Sequence, residues 1–581
     1  MVQNTMSKIK AGFLDRTSHW GISGKRLRIM VTATSMIGFS LFGYDQGLMA
    51  SLITGTQFNY EFPATKQNGD NDTHATVVQG ATTSCYELGC FVGSLFVMFW
   101  GEKLGRKPLI IMGSIITIVG ATISTTAFRG YWSLGQFIVG RVITGVGTGL
   151  NTSTIPVWQS EMSEPENRGL LVNLEGSTIA FGTMLAYWID FGFSYIETSV
   201  QWRFPVSMQI LFALLLLVCV INLPESPRWL ISQSRTDEAC QVLGTLDDVE
   251  PTDDRIVAEV TMLHDNVNRT KNEKNSISNL FSKGKSQNLQ RALVAASTQF
   301  FQQFTGCNAA IYYSTVLFHE TIGLEPRLSM ILGAVFSTVY ALSTIGSFFL
   351  IEKLGRRKLF LLGATGQAMS FTITFACLIR ATEENAKGAA VGLFLFITFF
   401  GMALLSLPWV YPPEIASMKV RASTNAFSTC TNWLCNFAVV MFTPIFINQS
   451  TWGCYLFFAI MNYLYIPVIF FFYPETAGRT LEEIDIIFAK AHEDGTQPWR
   501  VANNLPKLSL QEIDDQANAL GLYDDDLEKE DFMEEKEEDT GVNGYALFTR
   551  NQTQSNDEDE SSNDSANNEK PADAQPVAPV T

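Results

Sequence analysis

The chain has 581 residues, of which 46% are hydrophobic, and its formal net charge is −17. Most of that charge lies at the carboxyl end: residues 524–581 contain 18 acidic and four basic side chains, and the preceding 523 residues carry a net charge of only −3. The acidity therefore does not indicate a basic partner for the body of the protein, and no nucleic-acid partner is expected. The tail is rich in Asp, Glu, Asn and Ser and poor in aromatic residues, which is typical of disordered segments.

Twelve apolar runs dominate the rest of the chain. A helix needs about 20 predominantly apolar residues to span a membrane, and the runs have about this length. A polar segment over residues 223–290 separates the sixth run from the seventh. The predicted spans are approximately residues 29–52, 79–100, 108–128, 131–152, 169–190, 204–222, 291–313, 328–350, 358–379, 389–412, 422–446 and 452–473.

These runs predict an all-α polytopic membrane protein with twelve transmembrane helices in two six-helix bundles. No cleavable signal peptide precedes the first run. The expected organisation is a cytoplasmic amino terminus over 1–28, bundles over 29–222 and 291–473, a cytoplasmic central loop with short helices over 223–290, and a cytoplasmic acidic tail over 474–581 that is mostly disordered beyond about residue 500.

Basic residues indicate the orientation of the helices. Lys and Arg are frequent before the first run and in the central segment, whereas residues 53–78 contain only Lys66. Because short loops rich in Lys and Arg stay in the cytoplasm, both termini are predicted to be cytoplasmic. Asn71 then begins an Asn-Asp-Thr glycosylation sequon in the first external loop. The nine cysteines form no CxxC pair or metal-ligand cluster, so neither disulfides nor a metal site are expected.

The sequence repeats itself between its halves. The motif WGEKLGRK over residues 100–107 follows the second run, and IEKLGRRK over 351–358 follows the eighth. A Pro-Glu pair beginning at Pro224 follows the sixth run, and one beginning at Pro474 follows the twelfth. Repeated bundles are a hallmark of transporters, whose substrate site lies at the repeat interface.

An acidic residue, Asp45, lies inside the first predicted span. A carboxylate at the centre of a membrane helix costs about 2.5–3.5 kcal/mol on insertion scales, and it is tolerated if it faces water, pairs with a cation or is protonated. Arg141 is the other strong charge that we expect inside the first bundle, and we predict that it pairs with Asp45. Such a pair can load and release a proton; a static ion pair that fixes helix packing is the alternative.

Acidic and basic side chains also recur at the cytoplasmic ends of the spans. They predict salt bridges between the bundles that hold an outward-facing state and break on inward opening, and simple anchoring by positive charge is the alternative. Exposed pairs contribute little individually, so these would act as a network. The residues are Glu102, Arg106, Glu161, Arg168, Glu352, Arg356, Glu414 and Arg421.

The seventh span is mostly apolar but carries uncharged polar side chains. Polar groups inside a bilayer usually line a cavity or pathway, and amides and phenols suit a neutral, hydroxyl-rich solute. On a straight helix Gln303 and Asn308 would point about 140° apart, so we predict a break at Thr305-Gly306; bonding to neighbouring helices is the alternative. The candidate binding residues here and in later spans are Gln302, Gln303, Asn308, Tyr312, Tyr313, Trp409, Asn432 and Asn436.

Together these motifs resemble the sugar-porter family of the major facilitator superfamily over about residues 29–490. The resemblance is carried by the two Gly-Arg loops, Arg141-x-x-x-Gly-x-Gly, residues 156–169, the two Pro-Glu motifs and Gln302-Gln303-x-x-Gly306-x-Asn308 with Tyr312-Tyr313. Residues 16–20, 44–53 and 300–308 are similar to proton-coupled glycerol carriers of that family. The resemblance implies a major facilitator fold and glycerol uptake at the plasma membrane in osmotic stress, driven by the proton gradient without a cofactor and by a monomeric transport unit.

The resemblance also assigns roles to individual positions. Asp45 matches the proton-coupling acid of bacterial sugar symporters and Arg141 its partner. Two positions depart from hexose carriers, which have Gln where this chain has Gly176 and Asn where it has Tyr340. Binding of a hexose is weakened strongly when two of its hydrogen-bond partners are lost, whereas binding of a smaller polyol is affected less. The positions that match hexose contacts are Gln302, Gln303, Asn308, Trp409 and Asn436.

Two other functions remain open from the sequence. One is a symporter or facilitator for hexoses or other polyols. The other is a nutrient sensor that binds solute without transporting it, although intact Asp45 and Arg141 argue against that. An enzyme is not expected, because the chain has no nucleotide-binding loop, metal cluster or nucleophile–base set.

Overall fold

The computed structural model is built almost entirely of α-helices. It contains two units, Met1–Ser509 and Leu510–Thr581, and the described part of the second is the helix Leu510–Ala519. The structure describes residues 17, 19–67, 72–130, 132–163, 168–272, 280–282, 284–321, 325–380, 382–417, 420–508 and 510–520.

Six long helices correspond to the first six predicted spans. The side chain of Asp72 caps the second of them by accepting the backbone N–H of Ala75, which satisfies a donor that has no partner within the helix. A short helix, Thr56–Glu61, follows the first. The long helices are α1 (Gly24–Leu52), α2 (Thr73–Leu104), α3 (Arg106–Thr125), α4 (Ser133–Met162), α5 (Arg168–Phe193) and α6 (Val200–Ile221).

The other six predicted spans are also helical, but two of them are interrupted. Five π-helical residues, Phe400–Leu404, join the two pieces of the tenth helix. Such irregular turns often occur at functional sites. The helices are α7a (Asn288–Phe304), α7b (Cys307–Val316), α8 (Pro326–Leu354), α9 (Arg356–Leu378), α10a (Glu383–Phe399), α10b (Leu407–Ile415), α11 (Arg421–Gln449) and α12 (Thr451–Phe472).

Nine helical segments of the described chain are long and apolar enough to cross a membrane. The predicted spans outside this group are α4, α5 and the two pieces of the seventh helix. α4 contains the buried Arg141 and many Gly and Thr residues, α5 contains two buried acids, and the seventh helix is divided into two short pieces. These features belong to the interior of a bundle, and all twelve positions together form the predicted twelve-helix fold.

Most helices extend beyond the apolar runs. The largest differences are in α2, which is longer at both ends than the predicted 79–100, and in α4, which continues ten residues beyond the predicted end at 152. Hydropathy marks the part of a helix that suits lipid, whereas backbone hydrogen bonding continues into the polar residues at each end.

The two halves meet through helix pairs that the internal repeat relates. α2 packs against α11, α5 packs against α8, and α1 contacts α7b. α2 and α8 are the second helices of their halves, and α5 and α11 are the fifth. The interface is therefore pseudo-symmetric, as expected for a transporter built from repeats.

The Gly-Arg motif and the Pro-Glu motif of the first half contact each other. Gly105 separates α2 from α3 with φ at 94°. The carboxylate of Glu225, from the first Pro-Glu motif, accepts the backbone N–H of Arg106 at 3.0 Å and of Lys107 at 3.1 Å. A carboxylate at a helix N-terminus satisfies free N–H groups and interacts favourably with the helix dipole. A Cβ at Gly105 would lie 2.6 Å from this carboxylate, so glycine is needed there for space as well as for φ.

The second half repeats this arrangement. Gly355 separates α8 from α9 with φ at 81°. The carboxylate of Glu475 accepts the backbone N–H of Arg356 at 2.7 Å and of Arg357 at 3.2 Å. Each half therefore ties the start of its third helix to the segment that follows its sixth.

The polar segments also contain helices. Pro227–Ser232, Thr236–Asp247 and Asp254–Asn272 lie in the central segment, where short helices are expected. Leu481–Glu493 follows α12, and its Asp485 pairs with Arg291 of α7a, whose side chain is fully buried. Helical structure continues past residue 500, where the sequence predicts disorder, in Pro498–Asn504 and Leu510–Ala519. The rest of the acidic tail, 521–581, lies outside the described residues.

Candidate functional site

The seventh helix is broken where the sequence predicts it. Thr305-Gly306 lies between α7a and α7b, and Gly306 has a φ of 91°. This is the left-handed region that favours glycine, and a Cβ there would lie 2.8 Å from the ring of Phe458. Nδ2 of Asn462 donates to the carbonyl of Thr305 at 3.1 Å, which satisfies a carbonyl at the end of α7a. The predicted break is confirmed.

The break allows four amide side chains to bond to one another. Nδ2 of Asn308 donates to Oε1 of Gln303 and to Oδ1 of Asn436, both at 2.7 Å. Nε2 of Gln303 donates to Oδ1 of Asn432 at 2.6 Å. We call these four residues the amide network. All are at least 97% buried, and they offer the donors and acceptors that a hydroxylated solute requires.

Two further amides of α7a stabilise the irregular part of the tenth helix. Nε2 of Gln302 donates to the carbonyls of Leu404 at 2.8 Å and Leu405 at 3.1 Å. Nε2 of Gln299 donates to the carbonyl of Pro408 at 2.7 Å. These carbonyls lie where the π turn passes into α10b, so α7a supplies hydrogen bonds that the irregular backbone needs.

A small cavity lies between the halves beside the amide network. Its volume is about 20 Å³, which is room for about one or two water molecules. In this conformation the site is therefore nearly filled by its own side chains. Besides the amide network and Gln302, the walls include Phe42, Gln46, Ile179, Tyr340, Phe400 and Trp409.

The first half contributes a buried ion pair near this cavity. Nη1 of Arg141 in α4 lies 3.4 Å from Oδ1 of Asp45 in α1, and the two side chains are 1% and 0% exposed. The guanidinium also lies over the ring of Tyr86 at 4.6 Å, a favourable cation–π contact. Oδ2 of Asp45 has no hydrogen-bond partner among the described residues. The predicted pairing is confirmed.

Comparison with known proteins identifies the family. The model of the family described as "Sugar (and other) transporter" matches residues 30–488. The chain belongs to the sugar (and other) transporter family. The sugar transporter STL1 of Saccharomyces cerevisiae is 81% identical over 92% of this chain and 94% of its own length. The major facilitator superfamily transporter mfsA of Aspergillus fumigatus is 54% identical over 89% of this chain and 96% of its own.

A solved structure supports the predicted fold of the chain. The proton:xylose symporter XylE bound to 6-bromo-6-deoxy-D-glucose superimposes with a TM-score of 0.68 at 21% identity, over 79% of this chain and 99% of that one. The predicted major facilitator fold is confirmed. Because the chain belongs to the sugar (and other) transporter family, it is a multi-pass membrane transporter and not an enzyme. In the part of the chain that the structure describes, no group of three or more His, Cys, Asp or Glu residues could hold a metal ion.

The two tyrosines of α7b do not line the cavity beside the amide network. The hydroxyl of Tyr312 donates to Oε1 of Glu87 in α2, and that of Tyr313 donates to the carbonyl of Val440 in α11 at 2.9 Å. Neither residue lines the cavity. The prediction that they bind solute is not met in this conformation, because their hydroxyls already bond to neighbouring helices.

The two proposed specificity positions have different surroundings. Tyr340 lines the cavity, with its ring centroid 5.7 Å from that of Phe400. Gly176 does not line it; a Cβ there would lie 2.6 Å from Oγ of Ser406. The expectation that Gly176 shapes the solute site is therefore corrected: α5 meets the segment before α10b at this position, and glycine permits the approach.

Three buried acids were missed by the sequence analysis. Glu87 is 0% exposed, Glu175 4% and Asp190 3%, so Arg141 is not the only other strong charge in the first bundle. Each could have been found by the reasoning that identified Asp45, because each is a carboxyl inside a long apolar run. Among the described residues, Oε2 of Glu87 and both carboxylate oxygens of Asp190 lack hydrogen-bond partners.

The ion pairs of the first half stay within that half. Arg106, at the start of α3, lies 2.9 Å from Glu161 of α4 and 3.1 Å from Glu102 of α2. The prediction that these residues bridge the two bundles is wrong in this conformation. The turn at Gly105 places the arginine beside the end of α4, so the pairs stabilise one bundle.

The second half has the equivalent pairs. Arg356 lies 2.9 Å from Glu414 and 3.8 Å from Glu352, again within one bundle. Arg421 is the first residue of α11. Arg168 begins α5, but its side chain, like the whole of Asn71, lies outside what the structure describes.

Proposed function

We propose that this protein imports glycerol together with a proton across the plasma membrane by alternating access, with one chain as the transport unit and both termini in the cytoplasm. The observation that carries the proposal is the buried pair of Asp45 and Arg141. Asp45 is followed in α1 by Gln46, which lines the cavity from the first half, whereas the amide network belongs to the second half. A proton site and a hydroxyl-binding site are thus neighbours at the interface of two repeats.

The pair supports coupling by simple electrostatics. A proton on Asp45 neutralises the carboxylate and weakens its attraction to Arg141, which loosens α1 from α4. Loaded protein then opens to the cytoplasm and releases both solute and proton. One charge moving inward across about 100 mV contributes about 2.3 kcal/mol, which corresponds to roughly 50-fold accumulation of a neutral solute.

The surroundings of the cavity favour glycerol over a hexose. Tyr340 occupies one wall of the cavity where hexose carriers have Asn, so a hexose would lose a hydrogen-bond partner there. Each hydroxyl that is buried without a partner costs about 1–3 kcal/mol, so a solute with fewer hydroxyls is favoured. The amide network, which matches hexose-contacting positions, is the feature that keeps hexose or another polyol as the second candidate.

The test is uptake of labelled glycerol into liposomes that contain the purified protein. With an inward proton gradient we expect accumulation above the external concentration, loss of accumulation with a protonophore, and little competition by glucose. Equilibration without accumulation would contradict proton coupling. Equal inhibition by glucose and unlabelled glycerol would contradict the assignment of glycerol.

The role of Asp45 is tested by Asp45→Asn. We expect this variant to lose accumulation and to retain exchange of internal for external glycerol, because exchange needs no net proton movement. Asp190→Asn is the matched control: it removes another buried carboxylate of the same half, and Asp190 has no hydrogen bond to Arg141 among the described contacts. Full accumulation by Asp45→Asn would remove Asp45 from the coupling step.

A further inference from the structure

Glu87 is a buried acid that connects the two halves. It lies in α2, is 0% exposed, and its Oε1 accepts the hydroxyl of Tyr312 in α7b. α2 belongs to the first half and α7b to the second. A side-chain bond between the halves must break or shift when they move relative to each other, so this contact lies where a conformational change is sensed.

The same acid lies beside the proton site. α2 and α4 approach closely through glycines: a Cβ at Gly145 would lie 2.1 Å from the carbonyl of Tyr86, and one at Gly89 2.2 Å from that of Val142. This contact places Tyr86 under the guanidinium of Arg141, and Glu87 is the next residue. Asp45 and Arg141 both interact electrostatically with Glu87.

The charges of this cluster do not balance. Asp45 and Glu87 are two carboxyls, Arg141 is the cation that interacts with both, and all three side chains are buried. A buried carboxylate without a counter-charge is strongly disfavoured. Two acids with one cation therefore hold one proton between them, and their titrations are coupled.

The other end of the contact reaches the solute site. Tyr312 and Asn308 are four residues apart in α7b and therefore on the same side of that helix. Asn308 bonds to Asn436, whose side chain lies near the carboxyl of Glu87. A change in the Glu87–Tyr312 bond thus acts on the helix that carries one of the four network amides.

We propose that Glu87 is a positioning residue that transmits the protonation state of Asp45 to α7b through Tyr312. In the outward-facing protein, neutral Glu87 gives its proton to Asp45 by way of water. Arg141 then becomes the counter-charge of ionised Glu87, which accepts a strong, charge-assisted bond from Tyr312. Asp45 releases this proton to cytoplasmic water and binds Arg141 again. After the return to the outward-facing state Glu87 takes a proton from external water, and as a neutral acid it holds Tyr312 more weakly, so each cycle carries one proton inward. This inference rests on the proposed function.

The titratable and charged groups facing Glu87 come from several elements. Cys85, Tyr86 and Cys90 lie on its own helix, and the rest lie on α1, α4 and α7b. Among the described residues the set is Asp45, Cys85, Tyr86, Cys90, Arg141, Tyr312 and Tyr313. Arg141 is the one cation in this set, so its position decides which carboxyl is ionised.

The test uses Glu87→Gln, Tyr312→Phe and the double variant in liposomes. Gln still accepts a bond from Tyr312 but cannot change its charge. For Glu87→Gln we expect accumulation to fall at least tenfold, exchange to stay within threefold of wild type, and the KM for glycerol to lose its dependence on pH between 5 and 8. The double variant should behave as Tyr312→Phe alone.

Several results would overturn the inference. The first is a Glu87→Gln variant with the accumulation and the pH profile of wild type. The second is a Glu87→Gln variant that loses exchange and accumulation equally. The third is a double variant whose loss of accumulation is the product of the losses in the two single variants. Glu87→Asp keeps the carboxyl group and should restore part of the pH dependence of the KM. If Glu87→Gln does not fold, Tyr312→Phe tests the same contact between Glu87 and Tyr312. If wild-type protein itself shows no proton-driven accumulation, the proposed function fails; if only Glu87→Gln behaves as wild type, the inference fails alone.

Discussion

At the scale of single residues, Tyr340 is the proposed determinant of which solute fits beside the amide network. Tyr340 is 1% exposed, lines the cavity and contacts Phe400. Its bulk reduces the space at one wall, and an amide at this position would give a hexose hydroxyl a partner. We therefore propose that Tyr340 limits the size of the solute in a cavity whose amides would otherwise suit a sugar.

We expect Tyr340→Asn to admit glucose. The smaller side chain enlarges the cavity and adds a donor and an acceptor, so glucose should compete with glycerol at a concentration at least tenfold lower than in wild type. Tyr340→Phe is the control, because it keeps the ring and removes only the hydroxyl. The measurement is inhibition of labelled glycerol uptake; equal inhibition in both variants would show that ring size does not select the solute.

At this scale the sequence predicts residue chemistry better than residue orientation. Asp45 and Arg141 were paired correctly because buried charges need partners. Tyr312 and Tyr313 were assigned to the solute because their type suits it, whereas their hydroxyls bond to α2 and α11. Which neighbouring helix meets a given face depends on packing between the halves, and that is not encoded in local spacing.

At the scale of elements, the candidate solute site is built from two interrupted helices, the seventh and the tenth. α7 breaks at Gly306, and α10 passes through a π turn before α10b. Gln299 and Gln302 of α7a bond to carbonyls of the α10 irregularity, and Asn462 bonds to a carbonyl at the α7 break. Each interruption thus receives hydrogen bonds from another helix, which makes irregular backbone tolerable inside a membrane protein.

We expect Gly306→Ala to destabilise the protein by at least about 1 kcal/mol, because alanine is strained at positive φ. Its Cβ would also contact Phe458. Gly192→Ala is the control, since this glycine lies in α5 with nothing within 4 Å of an added Cβ. The measurement is thermal unfolding of the purified protein with and without glycerol. A melting temperature for Gly306→Ala equal to that of the control would contradict the strain.

The break in α7 was predictable and the break in α10 was not. Gln303 and Asn308 could address one solute only across a bend, and Gly306 marks the place for it. In α10 the sequence Phe400–Leu404 is apolar and has no local signal for a π turn. Its conformation depends on the amides of α7a, which are about 100 residues earlier in the chain.

The two halves contact each other through side chains toward both ends of the helices. At the start of α2, Oγ1 of Thr76 accepts Nδ2 of Asn448 in α11 at 3.2 Å. Toward the opposite end, Oγ of Ser347 in α8 donates to Oδ1 of Asn173 in α5 at 2.8 Å. Alternating access would require each of these contacts to open in turn.

We expect a disulfide at either end to stop transport. The pairs are Thr76→Cys with Asn448→Cys and Asn173→Cys with Ser347→Cys. Each should lose at least 90% of glycerol uptake after oxidation and recover it after reduction, because a fixed contact blocks one of the two openings. The single-cysteine variants control for the native cysteines. Transport that continues after complete cross-linking would contradict the assignment of these contacts to the moving interface.

The repeat was visible in the sequence, but its consequence for the ion pairs was not. Duplicated Gly-Arg and Pro-Glu motifs predict two equivalent halves, and the structure joins Arg106 to Glu161 and Arg356 to Glu414 within them. Charges at the ends of helices show that pairs will form. Which partner each arginine takes depends on the turns at Gly105 and Gly355 and on the helices beside them.

The closed amide network implies that the protein competes with its own cargo. Gln303, Asn308, Asn432 and Asn436 already bond to one another, so we expect an arriving solute to displace several of these bonds. Nδ2 of Asn436, which has no hydrogen-bond partner among the described residues, can donate to the solute without such an exchange. Because each displaced bond offsets part of the free energy that the solute gains from its own hydrogen bonds, we expect weak binding and rapid release rather than retention.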